Sequence, residues 1–116
     1  MHKATITYSD KSIRLVGDGH AGYAESGEDI VCSAISAVSY SLALQMDKAY
    51  RRGMLLHKPS YLLSEGHVEV EVFPNNESYA VIAENFRFAQ SALELLEDSY
   101  DDCVSLTVCN AMRSHK

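Results

Sequence analysis

Apolar and polar residues alternate along Lys3–Ser9, which carries the β-branched Thr5, Ile6 and Thr7, and again along Ser12–Val16. Period-two alternation predicts two strands, and Asp10-Lys11 between them predicts a tight turn, so a hairpin opens the chain. From Asp29 to Arg52 the period changes: Val31, Ile35, Val38, Leu42 and Met46 recur at helical spacing. Ala34, Ala37, Ser41, Leu44 and Gln45 form a second surface of mostly small residues. A helix of this length, about 36 Å at 1.5 Å per residue, is therefore expected to be covered on more than one side. Lys48, Arg51 and Arg52 suit the negative end of its dipole, and Gly53 is its expected stop.

Ser60–Ser64 and His67–Phe73 read as a second hairpin around Glu65-Gly66. Val68, Val70 and Val72 point one way and Glu69 and Glu71 the other, the mark of an antiparallel strand buried on one face. Pro74-Asn75-Asn76 breaks the strand, and Glu77–Tyr100 follows as a second helix whose apolar stripe includes Val81, Ala89, Ala92, Leu93 and Leu96. Cys103–Cys109 is the last predicted strand. The order ββαββαβ with half-polar strands predicts an α+β fold: a two-layer sandwich with a mainly antiparallel sheet of about five strands and two helices on it.

At 116 residues the chain suits one domain spanning 1–116, with 47% apolar and 22% charged residues, an ordinary globular composition. Ten Lys and Arg against sixteen Asp and Glu give a net charge of −6, which argues against direct nucleic-acid binding and suits a basic partner. Three cysteines do not make a disulfide framework, and Cys103 and Cys109 in one extended segment stand roughly 20 Å apart. Ile30–Met46 has 17 residues without a charge, short of a membrane span and interrupted by Ser33, Ser36, Ser39 and Ser41. With no signal peptide evident at the start, the expectation is a reduced, cytoplasmic protein away from membranes.

Four of the six glycines, Gly17, Gly19, Gly22 and Gly27, fall within eleven residues. Gly17-Asp18-Gly19-His20-Ala21-Gly22 matches G-x-G-x-x-G, yet a dinucleotide site needs those glycines to open the helix directly, and Tyr23–Glu28 intervene. No Cys or His spacing supports a zinc site, so neither metal nor cofactor is expected. His20 and Cys32 are the better pair. His20 follows a strand, and Cys32 lies in the first turn of a helix, where unpaired amides and the dipole favour a thiolate. An imidazole beside a thiol takes its proton and later protonates a leaving amine. The alternative for Cys32 is a small buried hydrophobe, and for His20 a surface residue; Cys103 and Cys109 have no basic or glycine-rich neighbours and read as packing.

Gly19-His20-Ala21-Gly22-Tyr23-Ala24, then Gly27, then Asp29-Ile30-Val31-Cys32-Ser33-Ala34-Ile35-Ser36-Ala37 resembles the signature of the Prp family of ribosomal-processing cysteine proteases. Ser33 stands where the family has an alanine, and the second half of the chain matches in pattern alone. The resemblance implies a cysteine endopeptidase with Cys32 as nucleophile and His20 as general base and acid. Gly19 would allow a close loop approach, and Ser36, one turn beyond Cys32, would support it by packing and hydrogen bonding. Asp29 would either cap the helix by accepting from the Cys32 amide, taking a donor an oxyanion hole needs, or orient His20. The family removes a short N-terminal extension from a large-subunit ribosomal protein, the one numbered twenty-seven; some members act on phage capsid or scaffold proteins. It is homodimeric, which suits a long helix with two faces, as would a monomer whose second helix covers the same surface. The acidic cluster Glu94, Glu97, Asp98, Asp101 and Asp102 would steer a basic substrate or simply be a solvated face. The competing readings are a non-enzymatic ribosome- or phage-assembly factor that binds a basic tail, and a thiol redox sensor using Cys32.

Overall fold

The computed structural model describes residues 1–25 and 29–112. Its elements are β1 (His2–Tyr8), β2 (Ile13–Asp18), α1 (Ile30–Arg51), β3 (Ser60–Ser64), β4 (His67–Val72), α2 (Tyr79–Ser99) and β5 (Val104–Asn110), in the predicted order. The strands form one sheet ordered β3-β4-β2-β1-β5. Three ladders are antiparallel, and β1 and β5 pair in parallel, because the chain returns through α2 before adding its last strand.

Alternation decides which face is covered. Ala4, Ile6 and Tyr8 of β1, Ile13 and Leu15 of β2, and Val68, Val70 and Val72 of β4 are all buried on one side of the sheet. Both helices close that side, α1 through Leu42 and Met46 and α2 through Ile82, Phe86, Ala89 and Leu93, and the whole makes one core. The α1 stripe is as predicted, with Val31, Ile35, Leu42 and Met46 buried and Val38 half-buried. Two details differ. Val81 is 53% exposed, because Phe86, fully buried, sets the rotation of α2 and turns Ile82 inward instead. The second surface of α1 is open: Ala37, Ser41 and Leu44 are exposed, because α2 lies beside α1 and leaves this surface uncovered.

Among the described residues α1 is the one helix long and apolar enough to cross a membrane. Here its inner face packs on the sheet. At its end Gly53 takes a positive φ of 75°, the left-handed turn expected of a helix-stopping glycine.

Register positions the site. Lys3 pairs with Asp18, and Asp18 pairs with His67, which in turn pairs with Ser64. The start of β1, the end of β2 and the β3–β4 turn therefore meet at one end of the sheet. The first turn of α1 lies over the same end, on a small second core of Ala21, Val31, Ile35, Cys103 and Val104.

Candidate active site

Gly19, His20, Asp29, Cys32 and Ser36 all line one open cleft of about 690 Å³ at this end, together with His2, Tyr40 and the β3–β4 turn. Gly27 lies outside the described residues.

Cys32 is half-buried in the first turn of α1 and is a free thiol. The loop after β2 folds back over it, so that the Ala21 N–H donates to Cys32 Sγ at 3.3 Å. Asp29 makes that fold-back possible. Its Oδ1 accepts from the Cys32 N–H at 2.9 Å, capping α1, and its Oδ2 accepts from the Tyr23 and Ala24 N–H groups at 3.0 and 3.3 Å. One buried carboxylate thus ties helix start to loop and shares no hydrogen bond with His20. Burial pushes the Asp29 carboxyl up, but the Cys32, Ala24 and Tyr23 amides together outweigh it and hold the group below the ordinary carboxylate range. Tyr23 also stacks edge-on against Tyr100 at the end of α2, 5.4 Å between ring centroids.

His20 is exposed, one residue before the amide that meets the thiol. Its ring lies against Gly66 in the β3–β4 turn, where an added Cβ would come within 2.9 Å of Nε2. Cys32 and His20 thus face one cleft but share no hydrogen bond. Such pairs are often loose until substrate is bound. Ser36, exposed on the next turn of α1, forms part of the cleft wall.

Gly17 and Gly19 have packing roles. Gly19 has φ +96°, and a Cβ there would collide with the Met1 carbonyl oxygen; its N–H donates to the Gly66 carbonyl at 2.8 Å. A Cβ on Gly17 would lie 2.5 Å from His2 Nε2. The first two glycines of the G-x-G-x-x-G run thus make room for Met1 and His2 and meet the β3–β4 turn, while Gly22, at φ +74°, has open space where its Cβ would be. Among the described residues no three His, Cys, Asp or Glu side chains gather as a metal-holding group.

Sequence reading missed His2, Tyr40, Gly66 and His67 as cleft residues. Strand order alone brings in His2, Gly66 and His67, whereas Tyr40 follows Cys32 and Ser36 at four-residue spacing along α1, a helical signal the sequence did carry. His67 bridges Asp18 and Glu69, with Nδ1 at 3.1 Å from one carboxylate and Nε2 at 2.9 Å from the other, and Arg14 completes the group through Glu69. Glu69 first, then Asp18, hold His67 protonated above the ordinary 6.5, while His67 holds both carboxyls below their usual values. The histidine's contribution to stability is complete below its unfolded value and is lost as pH rises through the raised one. The carboxylates' contribution is lost as pH falls through their lowered values. His67→Phe is therefore expected to narrow its stability deficit at alkaline pH, as read from urea midpoints of both proteins across pH. A deficit independent of pH would contradict this. Of the acidic cluster, Glu97 is engaged, accepting the Leu106 N–H on the outer strand β5 at 2.9 Å.

A free thiol at a helix start, under a loop that carries an exposed imidazole beside an open cleft, is an arrangement suited to thiol hydrolysis of a peptide. The sequence matches the cysteine protease Prp family over residues 1–105, and the chain belongs to that family of peptide hydrolases. Solved structures agree. An essential ribosomal processing protease Prp from S. aureus, in complex with a covalently linked product peptide, is 25% identical with a TM-score of 0.71, over 93% of this chain and 99% of that one. The same S. aureus protease with a substrate peptide gives 23% identity and a TM-score of 0.63 over the same shares. SMU.848 from Streptococcus mutans gives 22% identity and a TM-score of 0.64 over 95% of each chain, a likeness of fold. No curated protein matches the sequence.

Proposed function

We propose that this protease uses Cys32 and His20 to cut a short N-terminal extension from a large-subunit ribosomal protein. The observation that carries the reading is the Ala21 N–H bonded to Cys32 Sγ, which folds the His20 loop over the thiol at the edge of an open cleft. His20 takes the thiol proton, and the sulfur forms a bond to the scissile carbonyl carbon. The imidazolium returns that proton to the leaving amine as the C–N bond breaks, leaving a thioester. Water, deprotonated by His20, then releases the new carboxylate and the thiol. The covalently linked product peptide of the S. aureus protease supports a covalent route. Because the Cys32 amide is committed to Asp29, the oxyanion draws on other donors. Asp29, Gly19 and Ser36 support the site: Asp29 as helix cap and loop tie, Gly19 at the crowded turn, Ser36 in the cleft wall.

The net charge of −6 suits a basic ribosomal substrate met in the cytoplasm. Intact mass spectrometry tests the reading: the ribosomal protein with its extension is mixed with this protein, with Cys32→Ala and with His20→Ala. Loss of the extension with the unaltered protein alone is expected. Binding without any mass change would favour an assembly factor instead, and cleavage only of a phage capsid or scaffold protein would move the substrate.

The protein also acts as a homodimer in this reading. Ala37, Ser41, Val81, Phe88 and Ala92 line an apolar groove of about 630 Å³ between α1 and α2, and Phe88 is 81% exposed. Exposed apolar surface of this kind marks an association site. Phe88→Asp is expected to shift sedimentation toward monomer at least tenfold in concentration (about 1.4 kcal/mol or more). An unaltered protein that sediments as a monomer throughout would sink the dimer.

A further inference from the structure

We propose that His2 is a positioning residue for His20, acting through the Gly19 carbonyl; the proposal rests on the His20 role given above. His2 is 4% exposed, an unusual burial for an imidazole, and yet it lines the cleft. Its backbone is fixed by the N–H bond to the Cys103 carbonyl at 2.8 Å, at the start of β1. Its ring crosses to the neighbouring strand and sits over Gly17, in the space that a Cβ there would fill. Nδ1 lies 2.8 Å from the Gly19 carbonyl oxygen. A carbonyl can only accept, so Nδ1 carries the proton and donates.

That acceptor matters because of where it sits. The Gly19 carbonyl and the His20 N–H belong to one planar peptide unit. Fixing the carbonyl direction therefore fixes the direction in which the chain leaves for His20. Gly19 itself supplies little restraint, since glycine populates many backbone angles at similar cost. Its N–H is held from one side by Gly66, and its carbonyl is held from the other by His2. Without the His2 donor the Gly19–His20 peptide plane is free to turn, although strand pairing on both sides remains. Gly17 and His2 are thus a matched pair: the missing Cβ on β2 makes room for the ring that orients the next turn.

The test uses the full chain with His2→Leu, which keeps bulk without a donor, and His2→Asn, whose amide can offer an N–H near the Nδ1 position. Cleavage of the ribosomal protein with its extension is followed for kcat and KM, and the ¹H–¹⁵N signal of His20 is recorded without substrate. His2→Leu is expected to lower kcat about tenfold, the size of one lost hydrogen bond, with KM within about twofold. His2→Asn is expected to recover most of the loss. The His20 signal broadens in the Leu variant and is sharp in the Asn variant. Should His2→Leu fail to fold, Gly17→Ala displaces the ring with His2 still present and is expected to lower kcat similarly; adding His2→Ala relieves the crowding but leaves kcat low. Full kcat in His2→Leu or Gly17→Ala, or an Asn variant as slow as the Leu variant, overturns the positioning role. Cleavage that survives Cys32→Ala or His20→Ala would instead overturn the function on which it rests. If the unaltered protein cuts neither ribosomal nor phage protein, the His20 signal alone decides, an unchanged signal in His2→Leu refuting the proposal.

Discussion

Cys32→Ala is expected to lower extension removal by more than about 10³-fold while leaving the fold intact, since the proposed mechanism runs through its sulfur. Alanine is the best helix former and sits in the first turn of α1 without strain. What it gives up structurally is small: the N–H···S contact from Ala21, the thiol's contact with the Asp29 carboxylate and part of the packing on the Ala21–Val31 cluster. His20→Ala is expected to cost about 10²–10⁴-fold, the range for a lost general base and acid. It too should leave stability nearly unchanged, because His20 is exposed and rests on the β3–β4 turn. The double variant should be no slower than Cys32→Ala, since in the proposed mechanism the two groups serve one proton transfer. Melting curves beside single-turnover cleavage separate these outcomes. Comparable turnover in Cys32→Ala would remove the thiol from the mechanism, and a double variant much slower than either single one would mean that the groups act in different steps.

The parts of this site that can be read in the sequence are the local ones. Asp29 stands three residues before Cys32, so the helix-capping geometry follows from spacing alone, and the structure has it. That the other oxygen of Asp29 holds Tyr23 and Ala24, rather than orienting His20, depends on how the loop folds back. Val68, Val70 and Val72 declare the inner face of β4 by alternation. Nothing in that alternation says that β4 lies beside β2, and this pairing is what brings Gly66 under His20 and His67 against Asp18. The parallel placement of β5 on β1 is equally non-local, and it is the contact that fixes the backbone of His2. Val81 failed for a different reason: a helical stripe leaves its rotation open by a residue, and the packing of the large Phe86 ring chose.

Gly19→Val is expected to lose both stability and activity, whereas Gly53→Val should lose stability alone. Both glycines have positive φ, +96° and +75°, so a β-branched residue at either is strained by about 1–3 kcal/mol. At Gly53, which ends α1, nothing lies within 4 Å of the new Cβ, and backbone strain is the main effect. At Gly19 the Cβ meets the Met1 carbonyl oxygen, a backbone atom that cannot swing aside as a side-chain end can. Relief requires the start of β1 to move or the β2 end to withdraw from Gly66, to which the Gly19 N–H is bonded at 2.8 Å. Either movement shifts His20, the next residue. A displacement near 1 Å at a catalytic group costs on the order of 10²-fold in rate. Urea midpoints and kcat measured on the two variants together make the comparison: a larger midpoint loss in Gly19→Val, and a kcat loss confined to it, are expected. Equal kcat losses in both would mean that activity follows global stability, and an active Gly19→Val would mean that the turn between β2 and His20 does not set the position of the imidazole.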